Sequence, residues 1–143
     1  LLERVNAFKE GQHEAGEKGN LLRFSMQRMA YAAKDEQDAK EKNLMAYEYY
    51  KRFDNMFTGP GKINKGLIEP LSRSQSLEEM TENLIICPVN KMIDQLSVYA
   101  ESGINEIIIS AGFGQSQQHM IESMYRIGEY VIPHFKSQKS QVA

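Results

Sequence analysis

Apolar residues recur along this chain at helical spacing in some stretches and as short unbroken runs in others, so the pattern predicts helices and strands in turn. Leu1, Leu2, Val5 and Phe8 share one face of a helix over residues 1–15, which Gly16 and Gly19 break. From Leu21 to Ala33 the run LLRFSMQRMAYAA lacks glycine and proline and is short for a helix. It reads as a buried strand, with Lys34 and Asp35 supplying a turn and an N-cap. Asp35 opens a charged stretch leading into MAYEYYKRFDNMF, where Ala39, Leu44, Met45, Tyr49, Phe53 and Phe57 line one face of a long helix.

Residues 58–81 change to glycine, proline, serine and charge, with only a brief amphipathic piece around Leu77–Met80, and read as a long mobile loop. Asn83 to Cys87 is a short apolar strand, and Pro88 stands where the first turn of a helix tolerates a missing amide proton. In that helix Met92, Ile93, Leu96, Tyr99 and Ala100 follow helical spacing, and it ends at Gly103–Ile104, a left-handed C-cap with its apolar follower. Ile107, Ile108 and Ile109 then form a continuous run ending in glycines, the look of a parallel strand buried on both faces. Ser116 caps a last helix whose face is Met120, Ile121, Met124, Ile127, Val131 and Ile132. Strands alternating with helices in this way predict an α/β fold with parallel strands and right-handed crossovers.

Composition narrows the partners. A chain of 143 residues, 41% hydrophobic, supports one core, so residues 1–143 are expected to form a single unit. Seventeen basic against nineteen acidic side chains leave a net charge of −2, which offers no field for nucleic acid. One cysteine, no basic-apolar leader and no long apolar run fit a reduced cytoplasmic protein away from the membrane. Because Leu1 already lies inside a helix, a fragment of a longer chain is expected.

Candidate chemistry is sparse. Ser110-Ala111-Gly112-Phe113-Gly114 joins strand to helix, where glycines let a flat ring or an anion approach backbone amides. Gln117 takes the last glycine position of GxGxxG, so the dinucleotide fingerprint fails and making the turn is the leading role. Gln27 and Arg28 are polar residues inside an apolar strand, and a buried Arg28 needs a polar ligand, a phosphate or a structural carboxylate as partner, the carboxylate being the leading reading. Cys87 reads as an inert small hydrophobe, and His13, His119 and His134 lack metal-ligand spacing, so no metal is expected. Gly59-Pro60-Gly61-Lys62 lacks the first glycine and the final hydroxyl of a phosphate loop. The aromatics Tyr47 to Phe57 read as covering an outer face or a subunit interface.

The stretch IICPVNKMIDQLSVYAESGINEIIISAGFGQSQQHMIESMYRIGEYVIPHF resembles the C-terminal end of the bacterial luciferase-like flavin-dependent monooxygenases. Pro88, Gly103, Ile104, Glu106, Gly112, Gly114, Pro133 and His134 fall at matching places, while Cys87 and Val89 replace the usual glycine and threonine flanking the turn. FSMQRMAYAAKDEQDAKEK resembles that family's sixth strand and the helix after it, and residues 58–81 lie where the family carries a variable loop. The resemblance implies the last three strand–helix units of a (β/α)₈ TIM barrel, whose sites lie at the C-terminal ends of the strands; three strands cannot close one. It further implies reduced flavin, FMN or a deazaflavin, reacting with O₂ to oxidise a small organic substrate. A flavin reductase and a homo-oligomer are the implied protein partners. Gln27, Arg28, Gly112, Phe113 and Gly114 are the expected flavin contacts, residues 58–81 the expected lid, and the catalytic residues are unassigned. The isolated chain is expected to be inactive. The alternative is a non-catalytic half-barrel that binds ligands or covers its open sheet edges by self-association.

Overall fold

The computed structural model describes residues 1–139. Helix α1 (Leu2–Glu14) leads through a 3-10 turn (Gly16–Leu21) into strand β1 (Ser25–Ala33). The expected strand starts four residues late because Gln12 Nε2 donates to the carbonyls of Gly19 and Leu22 (3.3 and 3.2 Å), folding this part of the chain back on α1. Helix α2 (Glu36–Phe57) follows, capped by Asp35, whose carboxylate accepts the Asp38 amide at 2.8 Å.

The segment after α2 has structure of its own. Strands β2 (Ile63–Asn64) and β3 (Leu67–Ile68) form a hairpin whose two-residue turn, Lys65-Gly66, takes positive φ at both positions, as a type I′ turn requires. Helix α3 (Leu77–Asn83) opens with a reciprocal Ser76–Glu79 capping box. Asn55, wholly buried in α2, holds the hairpin base: its Nδ2 donates to the Lys62 and Glu69 carbonyls, both at 2.8 Å, and its Oδ1 accepts the Lys62 amide at 2.9 Å. The Arg73–Asp54 ion pair (2.6 Å) and the Tyr47 hydroxyl on the Gln75 carbonyl (3.2 Å) fasten the rest. Sequence composition alone read this as loop because its strands are two residues long.

Strand β4 (Ile85–Pro88), helix α4 (Val89–Ser102), strand β5 (Glu106–Ser110), helix α5 (Gln117–Arg126), a π turn (Ile127–Val131) and helix α6 (Ile132–Lys139) complete the chain. Gly103 ends α4 at φ 95°, with Ile104 donating to the Tyr99 carbonyl, as its sequence signature predicts. Among the described residues no helix is long and apolar enough to cross a membrane.

The fold is α/β, with three parallel strands in the order β4-β1-β5. Tyr31, Met29 and Ala33 of β1 point to α2 and α3, whereas Ala30 and Ala32 point to α4, Ile127 and Val131. Helices therefore cover both faces. This differs from the arrangement a run of consecutive barrel staves takes, which would pair in chain order as β1-β4-β5 with every helix outside. The cause lies in the crossovers: α2 carries the chain to one side of β1 and α4 carries it back to the other, so right-handedness places the two on opposite faces.

Three expectations about faces are corrected. β5 is an edge strand, with Ile108 51% and Ile109 37% exposed, instead of a strand buried on both faces. In α2 the buried side is Asp38, Ala39, Lys42, Asn43, Ala46 and Asn55, while Leu44, Phe53 and Phe57 face outward. In α5 and the turn after it Ser123, Ile127 and Val131 are buried, and Ile121, Met124 and Ile132 are not.

Asn55→Ala removes three hydrogen bonds from the hairpin base and leaves the Lys62 amide and the Glu69 carbonyl without their partner, while the Lys62 carbonyl keeps the Glu69 amide. We expect a loss of about 2 kcal/mol in urea denaturation and faster hydrogen exchange over residues 60–70. Unchanged exchange there would mean that the hairpin stands without Asn55.

Candidate functional site

Because the strands are parallel, Ala33, Pro88 and Ser110 end on the same edge of the sheet, and the loops leaving them form one rim. The positions predicted at Tyr31–Lys34, Ile86–Pro88 and Ser110–Ser116 are thus brought together. Helices α2 and α5 leave neighbouring strands β1 and β5 toward opposite faces, and in open α/β sheets such a reversal opens a crevice suited to ligands.

In this chain side chains fill the crevice. Tyr31 and Phe113 are fully buried and meet edge to face at 5.9 Å, a geometry worth roughly 1 kcal/mol beyond burial. Asp38 and Lys42, one helical turn apart on α2, form an ion pair at 2.8 Å, and both are buried. The other Asp38 oxygen accepts the Lys34 amide at 3.0 Å, and the Lys42 ammonium sits 5.6 Å from the Tyr31 ring centre. Burial, then the charge of Asp38, pushes the Tyr31 phenol up to about 12. For Asp38 itself burial acts upward, but the Lys42 ammonium and the Lys34 amide outweigh it and hold the carboxyl below its ordinary value. Tyr31 therefore stays a neutral hydroxyl beside a fixed carboxylate at neutral pH.

Where β5 stops short of β1, helix α5 supplies the missing partners. Ser123 Oγ accepts the Ala32 amide and Arg126 Nε donates to the Ala32 carbonyl, both at 2.8 Å. Asn43 Nδ2 bridges α2 to β4 through the carbonyls of Ala39 and Ile86 (2.9 and 3.0 Å), while its buried Oδ1 has no hydrogen-bond partner.

The expected flavin contacts are divided. Gln27 and Arg28, consecutive in β1, point to opposite faces; Gln27 is exposed and the Arg28 guanidinium lies 5.2 Å over the Tyr99 ring, with its Nε buried and unpartnered. Gly112 and Gly114 lie exposed on the rim, and Gly114 has φ 105°, which favours glycine. The Phe113 ring belongs to the core, and its amide donates to Gln115 Oε1 at 2.9 Å, while Gln115 Nε2 donates to the Ala111 carbonyl. The loop thus satisfies one of its own amides. Outside the filled crevice, an open cleft of about 480 Å³ runs between α2 and this loop, walled by Leu44, Met45, Tyr49, Phe113 and Gly114 with Glu48 and Arg52 at its side.

Cys87 is buried, its thiol pushed up to about 11 by that burial and 3.4 Å from Gln95 Oε1, in keeping with an inert small side chain. Among the described residues no three His, Cys, Asp or Glu side chains converge as metal ligands. Sequence reasoning passed over Asp38, Lys42 and Asn43 because they stand in a charged run. The available signal was the i,i+4 Asp–Lys spacing flanking the Ala39–Asn43–Ala46 stripe.

No family model and no solved structure matches the chain. It is similar to the oxygenase component of a flavin-dependent trigonelline monooxygenase from Acinetobacter baylyi, 29% identical over 119 residues, which cover 78% of this chain and 33% of that protein. The chain therefore spans about a third of the length of this curated relative.

Asp38→Asn strands the Lys42 ammonium in the core, and we expect a loss of about 3 kcal/mol at pH 7 by urea denaturation. Since the folded carboxyl titrates below its unfolded value, the wild-type advantage is complete above about pH 4 and declines as pH falls further. Equal stability at pH 7 would show that the pair contributes nothing.

Proposed function

We propose that this chain is a segment of the oxygenase component of a flavin-dependent monooxygenase of the luciferase-like kind. The observation that carries the reading is its similarity, over most of its length, to part of the oxygenase component of a flavin-dependent monooxygenase. The parent enzyme would take reduced FMN from a reductase partner and oxidise a small organic substrate, in a cytoplasmic setting that suits a lone buried thiol. Bound flavin would supply the reaction with O₂, and the protein would hold the ring and exclude water.

The residues present fit part of that task. Leu44, Met45 and Tyr49 offer an apolar wall for a flat ring, the Phe113–Gly114 backbone allows close approach, and Arg52 stands beside the cleft for an anionic group. A ring lying here would touch Phe113 and Gly114 among the expected contacts. Gln27 and Arg28 would need the parent's other strands to be joined to the same site, and the hairpin between α2 and α3 would serve as the shielding lid. A parent barrel would place β4 between β1 and β5, an exchange of neighbours that a structure of the longer chain would reveal.

With one wall and no enclosure, the isolated chain binds FMN no more tightly than about 100 µM, roughly 5.5 kcal/mol, and does not turn over. NMR titration with reduced FMN checks this: weak shifts centred on Gly112–Gly114 and Tyr49 are expected. Micromolar affinity would overturn the division of labour with the rest of the parent, and shifts elsewhere or none at millimolar flavin would sink the site.

A further inference from the structure

Beyond the cleft beside the glycine loop, α2 and the hairpin frame a second one of about 340 Å³, at the small end of the range that ligand sites occupy. Tyr49 and Arg52 line both, so the two clefts are neighbours along one side of α2. Phe53 and Met56 continue the helix wall one turn further on, and Leu67 and Ile68 of β3 form the wall across from them. Both walls belong to this chain, and Asn55 ties one to the other through the Lys62 and Glu69 carbonyls. Phe53 leans on Tyr49 (6.1 Å between ring centres) and on Phe57 (4.2 Å), yet stays 38% exposed.

The charge at this cleft is one-sided. Glu48 is held by Lys51 (2.9 Å) and Asp54 by Arg73 (2.6 Å). Arg52 makes no ion pair among the described residues. Its Nη1 donates to the Glu48 carbonyl at 3.1 Å, which leaves the Nε–Nη2 edge of the fork without an acceptor there. That edge has the spacing of two carboxylate oxygens, and no second cation lines the cleft to meet the larger charge of a phosphate.

We propose that this second cleft binds a small aromatic carboxylate, with its ring against Phe53 and Tyr49 and its carboxylate on the Nε–Nη2 edge of Arg52. One ring with one charge matches the volume, the aromatic wall and the single cation, whereas three fused flavin rings call for the larger cleft. The anionic group that Arg52 awaits is then this carboxylate. That such an acid is the parent enzyme's substrate, lying next to a ring in the first cleft, rests on the proposed function; that it binds does not.

NMR titration of the full 143-residue chain with benzoate, in the absence of flavin, is expected to give saturable shifts at Arg52, Phe53 and Leu67. The dissociation constant is expected on the order of 5 mM, in keeping with so small a ligand on an open surface. Benzamide, of the same shape but uncharged, is expected to bind at least about fivefold more weakly. Arg52→Gln is expected to bring benzoate to the benzamide level and leave benzamide unchanged, which a misfolded variant would not do. Shifts still linear at about 50 mM benzoate, shifts centred on Gly114, or a benzoate preference that survives Arg52→Gln would each overturn the proposal. Such a failure leaves the flavin site untouched, and benzoate bound without any flavin shifts would sink the flavin site alone.

Discussion

Strand β1 carries the architecture, because it alone has strands on both edges and helices on both faces. That position demands side chains that vanish from water on either side, and Met29 to Ala33 meet it with one large residue, Tyr31, between alanines. The alanines at 30 and 32 let α4 and the turn after α5 approach closely, while Tyr31 fills the wider gap beneath α2. A change of volume at any of these would be felt by two layers at once.

The same constraint shapes the rim. Tyr31 needs a partner for its hydroxyl side, and the Asp38–Lys42 pair supplies a carboxylate that its own lysine keeps charged. Phe113 then closes the crevice from the β5 side. The place where an open α/β sheet usually admits a ligand is here plugged by core residues, which moves the accessible surface outward onto α2 and the glycine loop.

Apolar surface is distributed unevenly as a result. Leu44, Phe53, Met56 and Phe57 on α2, Ile63 and Leu67 on the hairpin and Ile108 on β5 all stay exposed. Of these, Phe53, Met56 and Leu67 line one cleft between α2 and the hairpin, and apolar side chains gathered in this way mark a surface that another part of a protein or another molecule covers.

Local signals in the sequence determined the elements. The Gly103–Ile104 stop, the Asp35 and Ser116 caps and the isoleucine run ahead of the glycines each act within a few residues, so these helix ends and strand identities could be read without knowing the fold. What only tertiary structure decided was which side of each element meets the core. Leu44 and Phe57 look like core and are not, and Asp38, Lys42 and Asn55 look like surface and are buried, because the Lys34 amide and Lys42 ammonium donate to Asp38 and the Lys62 and Glu69 carbonyls accept from Asn55, which repays their desolvation. The central place of β1 was likewise invisible in the chain. Strand order depends on which crossover lies on which face, and that is settled by long-range packing that no short stretch of residues encodes.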